Sequence, residues 1–376
     1  MRPLIVCLIA ASFASDLALG LFLLLRGGRV TTRRFALAAL TVAVFLAAKL
    51  ALLVALGKGF LAIHLAFLDG FFLVPAVGLA LLVASRAREV ARPVRAAARA
   101  SFLLLPIWFY ASHVEPYRLV EERVAIPIAA ARAPSPPLSI AVLSDIQADR
   151  VEDHHRDAVA RALAAKPDLI LLPGDLVQVP FERFEEVMPE FRALLAPLDA
   201  PLGVYFALGN TDLSAQVRRL FEGTRVELLE NRIVELEHGG RRVVLGGVDL
   251  AFSSPAARAT LGRLAQHPRE EDLVLLVAHR PDVALALPHA SRIDLVVAGH
   301  THGGQVRLPL LGPPITLSDV PRAVAAGGYH VLDGVPIYVS RGIGWEHCNA
   351  PRVRFLCPPE VSLLTLGGSG KESADR

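Results

Sequence analysis

The chain has 376 residues, of which 53% are apolar and 20% charged, and a formal net charge of only +3. So small an excess, largely explained by two arginine clusters near the N-terminus, leaves no electrostatic footprint for a nucleic acid. No internal repeat or long low-complexity tract is visible, so the apolar surplus belongs to particular segments.

Residues 1–115 hold that surplus. Leu4 to Leu25, Phe35 to Leu56 and Phe60 to Ala84 are each long enough to cross roughly 30 Å of hydrocarbon. A cleavable signal peptide accounts for one such segment but not for three, so the sequence predicts an integral anchor of three or four transmembrane helices. Ala100 to Val114 is a shorter fourth candidate, interrupted by Pro106. It either crosses the bilayer or lies along its interface, and Trp108, Phe109 and Tyr110 suit both arrangements. Arg26, Arg29, Arg33 and Arg34 follow the first span, and Arg86, Arg88, Arg92, Arg95 and Arg99 follow the third, which places both loops in the cytoplasm. A crossing fourth segment then delivers the rest of the chain to the extracytoplasmic side. The expected localisation is therefore a multi-pass protein of the bacterial inner-membrane type with its catalytic domain outside. Asp16, Lys49, His64 and Asp69 interrupt the apolar runs, and such groups either pair inside a small bundle or mark a pathway or a lipid headgroup contact.

Residues 116–137 read as a linker, with Pro134, Pro136 and Pro137 at its end. From 138 to 366 strands alternate with helices, and five apolar runs close on a potential metal ligand. Leu138 to Leu143 leads to Asp145, Leu169 to Leu172 to Asp175, and Val204 to Leu208 to Asn210. Leu273 to Ala278 ends at His279, and Leu295 to Ala298 runs into Gly299-His300-Thr301-His302-Gly303-Gly304-Gln305. Between them, Ala158/Val159/Ala162/Leu163, Phe184/Val187/Phe191/Leu194/Leu195 and Val217/Leu220/Phe221 form apolar helix faces. Gly239-Gly240 and Asp333-Gly334 each join two short strands into a hairpin. Gly367 to Arg376 reads as a disordered tail.

Two histidines one residue apart in a loop are, by themselves, as readily polar loop residues as ligands. The other four strand ends change that reading. Open sheets with helical crossovers gather the carboxyl ends of their strands on one rim, so two Asp, one Asn and three His converge there. Mixed oxygen and nitrogen donors with a carboxylate able to bridge suit a pair of divalent ions, a common apparatus for phosphoryl chemistry.

Asp145-Ile146-Gln147, Gly174-Asp175, Gly209-Asn210-Thr211-Asp212, His279 and Gly299-His300-Thr301-His302 resemble the motifs of the calcineurin-like metallophosphoesterases, which run D-x-H, G-D, G-N-H-[DE], H and G-H-x-H. The resemblance covers roughly residues 138 to 365. The segments Gly299 to Gln305 and Val339 to Gly344 are similar to the bacterial membrane-associated branch. The resemblance implies an α/β four-layer sandwich of two facing mixed sheets with helices outside. It also implies two divalent ions, of Mn, Fe, Zn or Mg. Carried over residue by residue, Asp145, Gln147 and His302 fall to the first ion, Asp175 bridges, and Asn210, His279 and His300 hold the second. Asp175, Asn210, Thr211 and Asp212 are the candidate catalytic residues.

Two histidines of the family pattern are missing. Gln147 stands where the pattern has a ligand of the first ion, and its carbonyl is a weaker, harder donor that favours Mn or Mg over Zn. Thr211 stands where the pattern has the group usually assigned to protonate the leaving group; threonine donates a hydrogen bond but is no acid near neutral pH. General acid catalysis is worth roughly 10²–10⁴-fold, so slow turnover is expected unless His154, His155, His330 or His347 substitutes. Cys348 and Cys357 either form a disulfide or remain reduced thiols. The reading that results is a membrane-anchored phosphoesterase in which a metal-bound hydroxide attacks the phosphorus of a phosphodiester, phosphomonoester or diphosphate. Its expected partners are the bilayer and a lipid-linked phosphate substrate, with no nucleic acid. The alternative is a catalytically weakened sensor or scaffold that binds a metal or a phosphate.

Overall fold

A computed structural model describes residues 3–267, 269–288, 291–346 and 349–367. The chain divides into two compact units, Met1–Val114 with Glu346–Arg352 and Glu115–Trp345 with Val353–Arg376.

In the first unit, α1 (Pro3–Leu25), α2 (Thr32–Ala55), α3 (Gly59–Leu68) and α4 (Val74–Ala84) follow one another, α3 and α4 joined by a π turn at Asp69–Leu73. The Thr31 hydroxyl accepts from Arg34 N and starts α2, while Gly57 supplies the positive φ that ends it. Among the described residues, three helices are long and apolar enough to cross a membrane, Ile5–Leu25, Thr32–Ala55 and Gly59–Ala84. Between them, β1 (Arg29–Val30) pairs in parallel with β2 (Glu89–Val90), so the two arginine loops lie side by side at one end of these helices. Both loops therefore belong to one side of any membrane the helices cross. Asp16 and Asp69 flank Lys49, whose ammonium bonds the Asp16 carboxylate and lies 3.9 Å from Asp69, so these groups pair inside the bundle.

The fourth candidate segment is not a uniform α-helix. After α5 (Arg92–Ala100), a 3₁₀ turn at Ser101–Leu103, α6 (Leu104–Phe109) and a π turn at Tyr110–Val114 continue the helical path. Three arginines, Arg92, Arg95 and Arg99, occupy the first part of that path.

The second unit contains two six-stranded sheets. The first has the order β3 (Val120–Ile126), β14 (Glu360–Leu366), β4 (Leu138–Val142), β5 (Leu169–Leu172), β6 (Val204–Phe206), β7 (Val226–Leu228). The second has the order β12 (Gly328–Leu332), β13 (Val335–Val339), β11 (Leu295–Ala298), β10 (Leu273–Val277), β9 (Arg241–Gly247), β8 (Arg232–His238). Strand alternation explains the layering. Ile140 and Val142 face inward against Leu273, Leu275 and Val243 of the other sheet, whereas Ala141 and Leu143 face outward onto Ala158 and Phe191 of α7 (Asp153–Ala164) and α8 (Phe184–Leu195). With both faces covered, the strands read as unbroken apolar runs. Beyond α9 (Ser214–Phe221), helices α10 (Pro255–Ala265) and α11 (Arg322–Ala325) cover the second sheet through Leu261, Leu264 and Val324. Four layers result, as the resemblance implied, and the Gly239-Gly240 and Asp333-Gly334 hairpins form as antiparallel pairs.

One boundary is corrected. Val120–Ile126, read as linker, is an edge strand parallel to β14, in register from Val120↔Glu360 to Ile126↔Leu366. Its partner is the last strand among the described residues, so no local turn signal announces the pairing. The parallel trio β4, β5, β6 and the parallel run β9, β10, β11, β13 put the carboxyl ends of their strands on common edges.

Candidate metal centre

Beyond the strand ends, the loops carrying the ligands are locked together by backbone bonds. Asp145 N donates to Gly174 O at 3.1 Å, Gln147 N to Asp175 O at 2.8 Å, and Gly344 N to Asp145 O at 2.7 Å. Asp145, Gln147, Asp175, His300 and His302 all hold positive φ, between 39° and 72°. Each such residue costs of order 1–3 kcal/mol, and side chains are held in this conformation only where the surrounding structure over-determines it. Asp212 contributes to that hold: its buried carboxylate accepts from Asp175 N at 2.8 Å, Leu176 N at 3.1 Å and Gly209 N at 2.9 Å. Asp212 and Thr211 are expected among the catalytic residues, and the geometry places both in contacts that position Asp175. The Thr211 amide and hydroxyl both donate to Asp175 Oδ1, at 2.8 and 3.1 Å, and so fix the carboxylate.

Asp145, Asp175 and His279 offer ligand atoms that all lie within 4.8 Å of one another. Around them, Asn210 Oδ1 stands 2.9 Å from both His279 Nε2 and His300 Nδ1, and those two nitrogens are 3.1 Å apart. His279 Nδ1 donates to Pro173 O at 2.7 Å, and His300 Nε2 to Leu317 O at 3.2 Å. In each neutral ring the lone pair is then on the nitrogen that faces Asn210. Three acceptors converging at about 3 Å repel one another unless a cation stands among them, and edges near 3 Å are what ligands roughly 2.1 Å from a shared ion span. The donor set fits a divalent metal on that ground.

The electrostatics agree. Burial opposes a charge on His279, but Asp175, 3.4 Å from Nε2, overrides it and raises the ring to about 9. The centre attracts a cation even when that cation is only a proton. Burial likewise raises Asp175, yet His279 and the Thr211 amide bring it down to about 2. Burial lifts Asp145 to about 7 and Asp212 to about 6, with Asp175 adding repulsion to both. His300 falls to about 4, first through burial and then through its neighbour His279.

Asp145, Gln147 and His302 form a differently conditioned group. His302 Nε2 lies 2.5 Å from Gln147 Oε1 and 3.7 Å from Asp145 Oδ1, and the Asp145 oxygens accept from His300 N at 3.0 and 3.1 Å. Behind the ring is Arg354, a fully buried guanidinium that sequence reasoning missed. Its Nη2 is 3.5 Å from His302 Nδ1, and it donates to the carbonyls of Arg341 at 2.8 Å and Gly342 at 3.2 Å. Guanidinium has no acceptor, so it takes the Nδ1 lone pair and leaves Nε2–H to donate to Gln147. Burial and then Arg354 push His302 well below its ordinary value. Nothing in the local sequence Val353-Arg354-Phe355 distinguishes this arginine from a surface one.

The four candidate substitute proton donors have the following surroundings. His154 and His155 are buried at the start of α7 rather than solvated: His155 Nδ1 accepts from Glu152 N at 2.9 Å, and His154 stacks on Trp345 at 5.3 Å. His330 lies on β12, its Nε2 3.2 Å from Gly327 O. His347 and Cys348 lie outside the described residues. Cys357 is a free buried thiol that donates to His302 O at 3.3 Å, which favours the reduced alternative.

Residues 138–304 match the family described as calcineurin-like phosphoesterase. The chain is 31% identical over 278 residues to phosphodiesterase YaeI of Escherichia coli, covering 68% of this chain and 92% of that one. It belongs to the calcineurin-like phosphoesterases. Metallophosphoesterase YkuE of Bacillus subtilis is also 31% identical, over 54% of this chain and 68% of its own. The Haemophilus influenzae NAD nucleotidase structure is similar at 15% identity with a TM-score of 0.38, covering 55% of this chain and 45% of that one. As a member of this family the chain is a metal-dependent phosphoester hydrolase.

Proposed function

We propose that this phosphoesterase is anchored in the cell membrane, uses two divalent ions and hydrolyses a lipid-linked phosphodiester or diphosphate. The observation that carries the chemistry is the convergence of ligand atoms from Asn210, His279 and His300 beside Asp175. Divalent ions bound there supply Lewis-acid stabilisation of phosphoryl oxygens and an activated water. Asp175 suits the bridging role because Oδ2 faces His279 while Oδ1 is fixed by Thr211. A diester is favoured over a monoester by the likeness to a relative named as a phosphodiesterase. The membrane-length helices favour a substrate confined to the bilayer. With Thr211 occupied on Asp175, leaving groups that need little protonation are preferred.

Metal analysis of the purified full chain, run with a chromogenic phosphodiester across added Mn, Mg and Zn, tests this reading. Bound metal and hydrolysis dependent on it are expected; bound metal without hydrolysis under any of the three ions sinks the enzyme in favour of the scaffold. For topology, the paired arginine loops favour a cytoplasmic position for both, and a crossing path through Ala100 to Val114 places the hydrolase outside. A reporter after Arg376 is expected to be active only on the extracytoplasmic side, and cytoplasmic activity refutes that arrangement.

A further inference from the structure

Between the Gly299 to Gln305 motif and α11, the chain from Leu308 to Leu317 reads Leu-Pro-Leu-Leu-Gly-Pro-Pro-Ile-Thr-Leu and carries no charge. These apolar side chains are displayed instead of buried. Leu310 is fully exposed, Leu311 and Leu317 are more than half exposed, and Ile315 and Leu308 are exposed as well. Soluble surfaces scatter such residues singly, whereas a contiguous strip marks an interaction site.

The strip is not a loose segment. Leu308 N donates to Gly312 O at 3.0 Å and Gly312 N to Leu308 O at 2.9 Å, which closes a tight turn with Leu310 at its tip. Leu310 at φ +67° and Leu317 at φ +52° are held in the left-handed region that leucine rarely adopts. The turn is also tied to the metal centre. Leu317 O receives the His300 Nε2 bond at 3.2 Å, and Ser318 Oγ and Asp319 N donate to Asp282, three residues beyond His279, at 3.0 and 2.7 Å. Two further exposed leucines sit on ligand-bearing segments: Leu213 beside Asp212, and Leu285 in the short turn that follows His279. Apolar groups thus accompany three of the segments that build the centre.

The segment's chemistry selects its occupant. Three prolines remove backbone donors, so the turn offers a poor edge for strand addition by a peptide. Branched side chains with no charge among them match the hydrocarbon boundary of a lipid leaflet. Covalent continuity with three membrane-length helices keeps such a leaflet within reach.

We propose that the 308–317 turn inserts its leucines into the acyl region of the bilayer and so presents the metal centre to phosphoesters at headgroup level. The substrate class is then a phosphoester whose lipid remains embedded while its phosphate is cleaved. This rests on the phosphoesterase reading for its chemistry, but its insertion is measured without turnover.

The test uses the full chain in vesicles of phosphatidylethanolamine and phosphatidylglycerol, with or without bromine on the upper acyl chain. Leu310→Trp is expected to show blue-shifted emission and bromolipid quenching above the background of Trp108 and Trp345 in the parent. Val331→Trp, an exposed position on β12, controls for proximity through the tether alone. Quenching at Leu310→Trp no greater than at Val331→Trp overturns the proposal. So does a concentration-dependent blue shift in detergent without bromolipid quenching, which points to a second copy of the chain. Leu310→Glu with Leu311→Glu is expected to lower hydrolysis of a vesicle-borne fluorogenic phosphodiester about tenfold, leaving soluble bis(p-nitrophenyl) phosphate within about twofold. Equal loss on both substrates makes the turn a support of the centre and refutes docking. If the parent cleaves neither, the phosphoesterase reading fails, and the quenching result still decides insertion.

Discussion

The two halves of the metal centre differ in what their lone pairs face. Around Asn210, His279 and His300 three donor atoms meet at about 3 Å, all of them acceptors once the His279 proton is displaced, and Asp175 supplies the negative charge that draws a cation in. Around His302 each ring nitrogen already has a partner, Gln147 on one side and Arg354 on the other. The same ligand types are therefore expected to bind a metal with different affinities, according to what already satisfies them. A missing histidine at position 147 is only part of the difference; the buried guanidinium behind His302 is the rest.

The largest effect that tests this comparison is removal of the charge both halves share. Asp175→Asn keeps the shape and the Thr211 bonds to Oδ1 while withdrawing the anion. Hydrolysis of a chromogenic diester is expected to fall about 10³-fold, with bound metal lost, against an unchanged circular dichroism spectrum. Retained metal and rate in this variant remove the basis of the bridging assignment.

Proton competition sharpens the same contrast. His279, raised to about 9 by Asp175, carries a proton below that value, and metal must displace it. Apparent metal affinity is therefore expected to rise with pH, by up to about tenfold per unit, and to level off near 9. Asp145, held near 7 by burial, adds a second displaced proton at lower pH. Titration of the apo protein with Mn between pH 6 and 10 measures the slope; a flat profile means that His279 is not a ligand.

Much of this centre was legible in the chain because its ligands follow apolar strands whose carboxyl ends a parallel sheet must gather. Asp145, Asp175, Asn210, His279, His300 and His302 are all brought to one place, and the two hairpins and the helix faces were readable from local periodicity. What was not legible depends on long-range pairing. The edge strand Val120–Ile126 is specified by a partner near the C-terminus, and Arg354 is distinguished from a surface arginine only by the carbonyls folded around it. That Thr211 faces the Asp175 carboxylate and Asp212 three backbone amides is a matter of tertiary contact that a motif cannot state.

Smaller changes are expected from repairing the weaker half. Gln147→His replaces an acceptor with a ring nitrogen able to ligate, so metal content by mass spectrometry is expected to rise toward two ions per chain, with preference moving toward Zn. No change in content means that Arg354, by holding His302, is the stronger determinant. Pairing the substitution with Arg354→Met separates these effects if thermal unfolding shows that the double variant still folds.

The smallest effect belongs to the Thr211 hydroxyl. Its 3.1 Å bond is one of two from this residue to Asp175 Oδ1, and the backbone amide at 2.8 Å remains when the hydroxyl is removed. Thr211→Val keeps the side-chain shape and withdraws a single hydrogen bond to a charged acceptor, worth about 1.5–3 kcal/mol at most and less where a second donor persists. The expected loss is therefore about three- to tenfold in kcat/KM, equal for diesters with good and poor leaving groups, because orientation of Asp175 is altered and no proton donor is removed. A loss that grows steeply with the pKa of the leaving group instead assigns the hydroxyl a part in proton delivery, and the positioning role argued from its contact with Asp175 then fails.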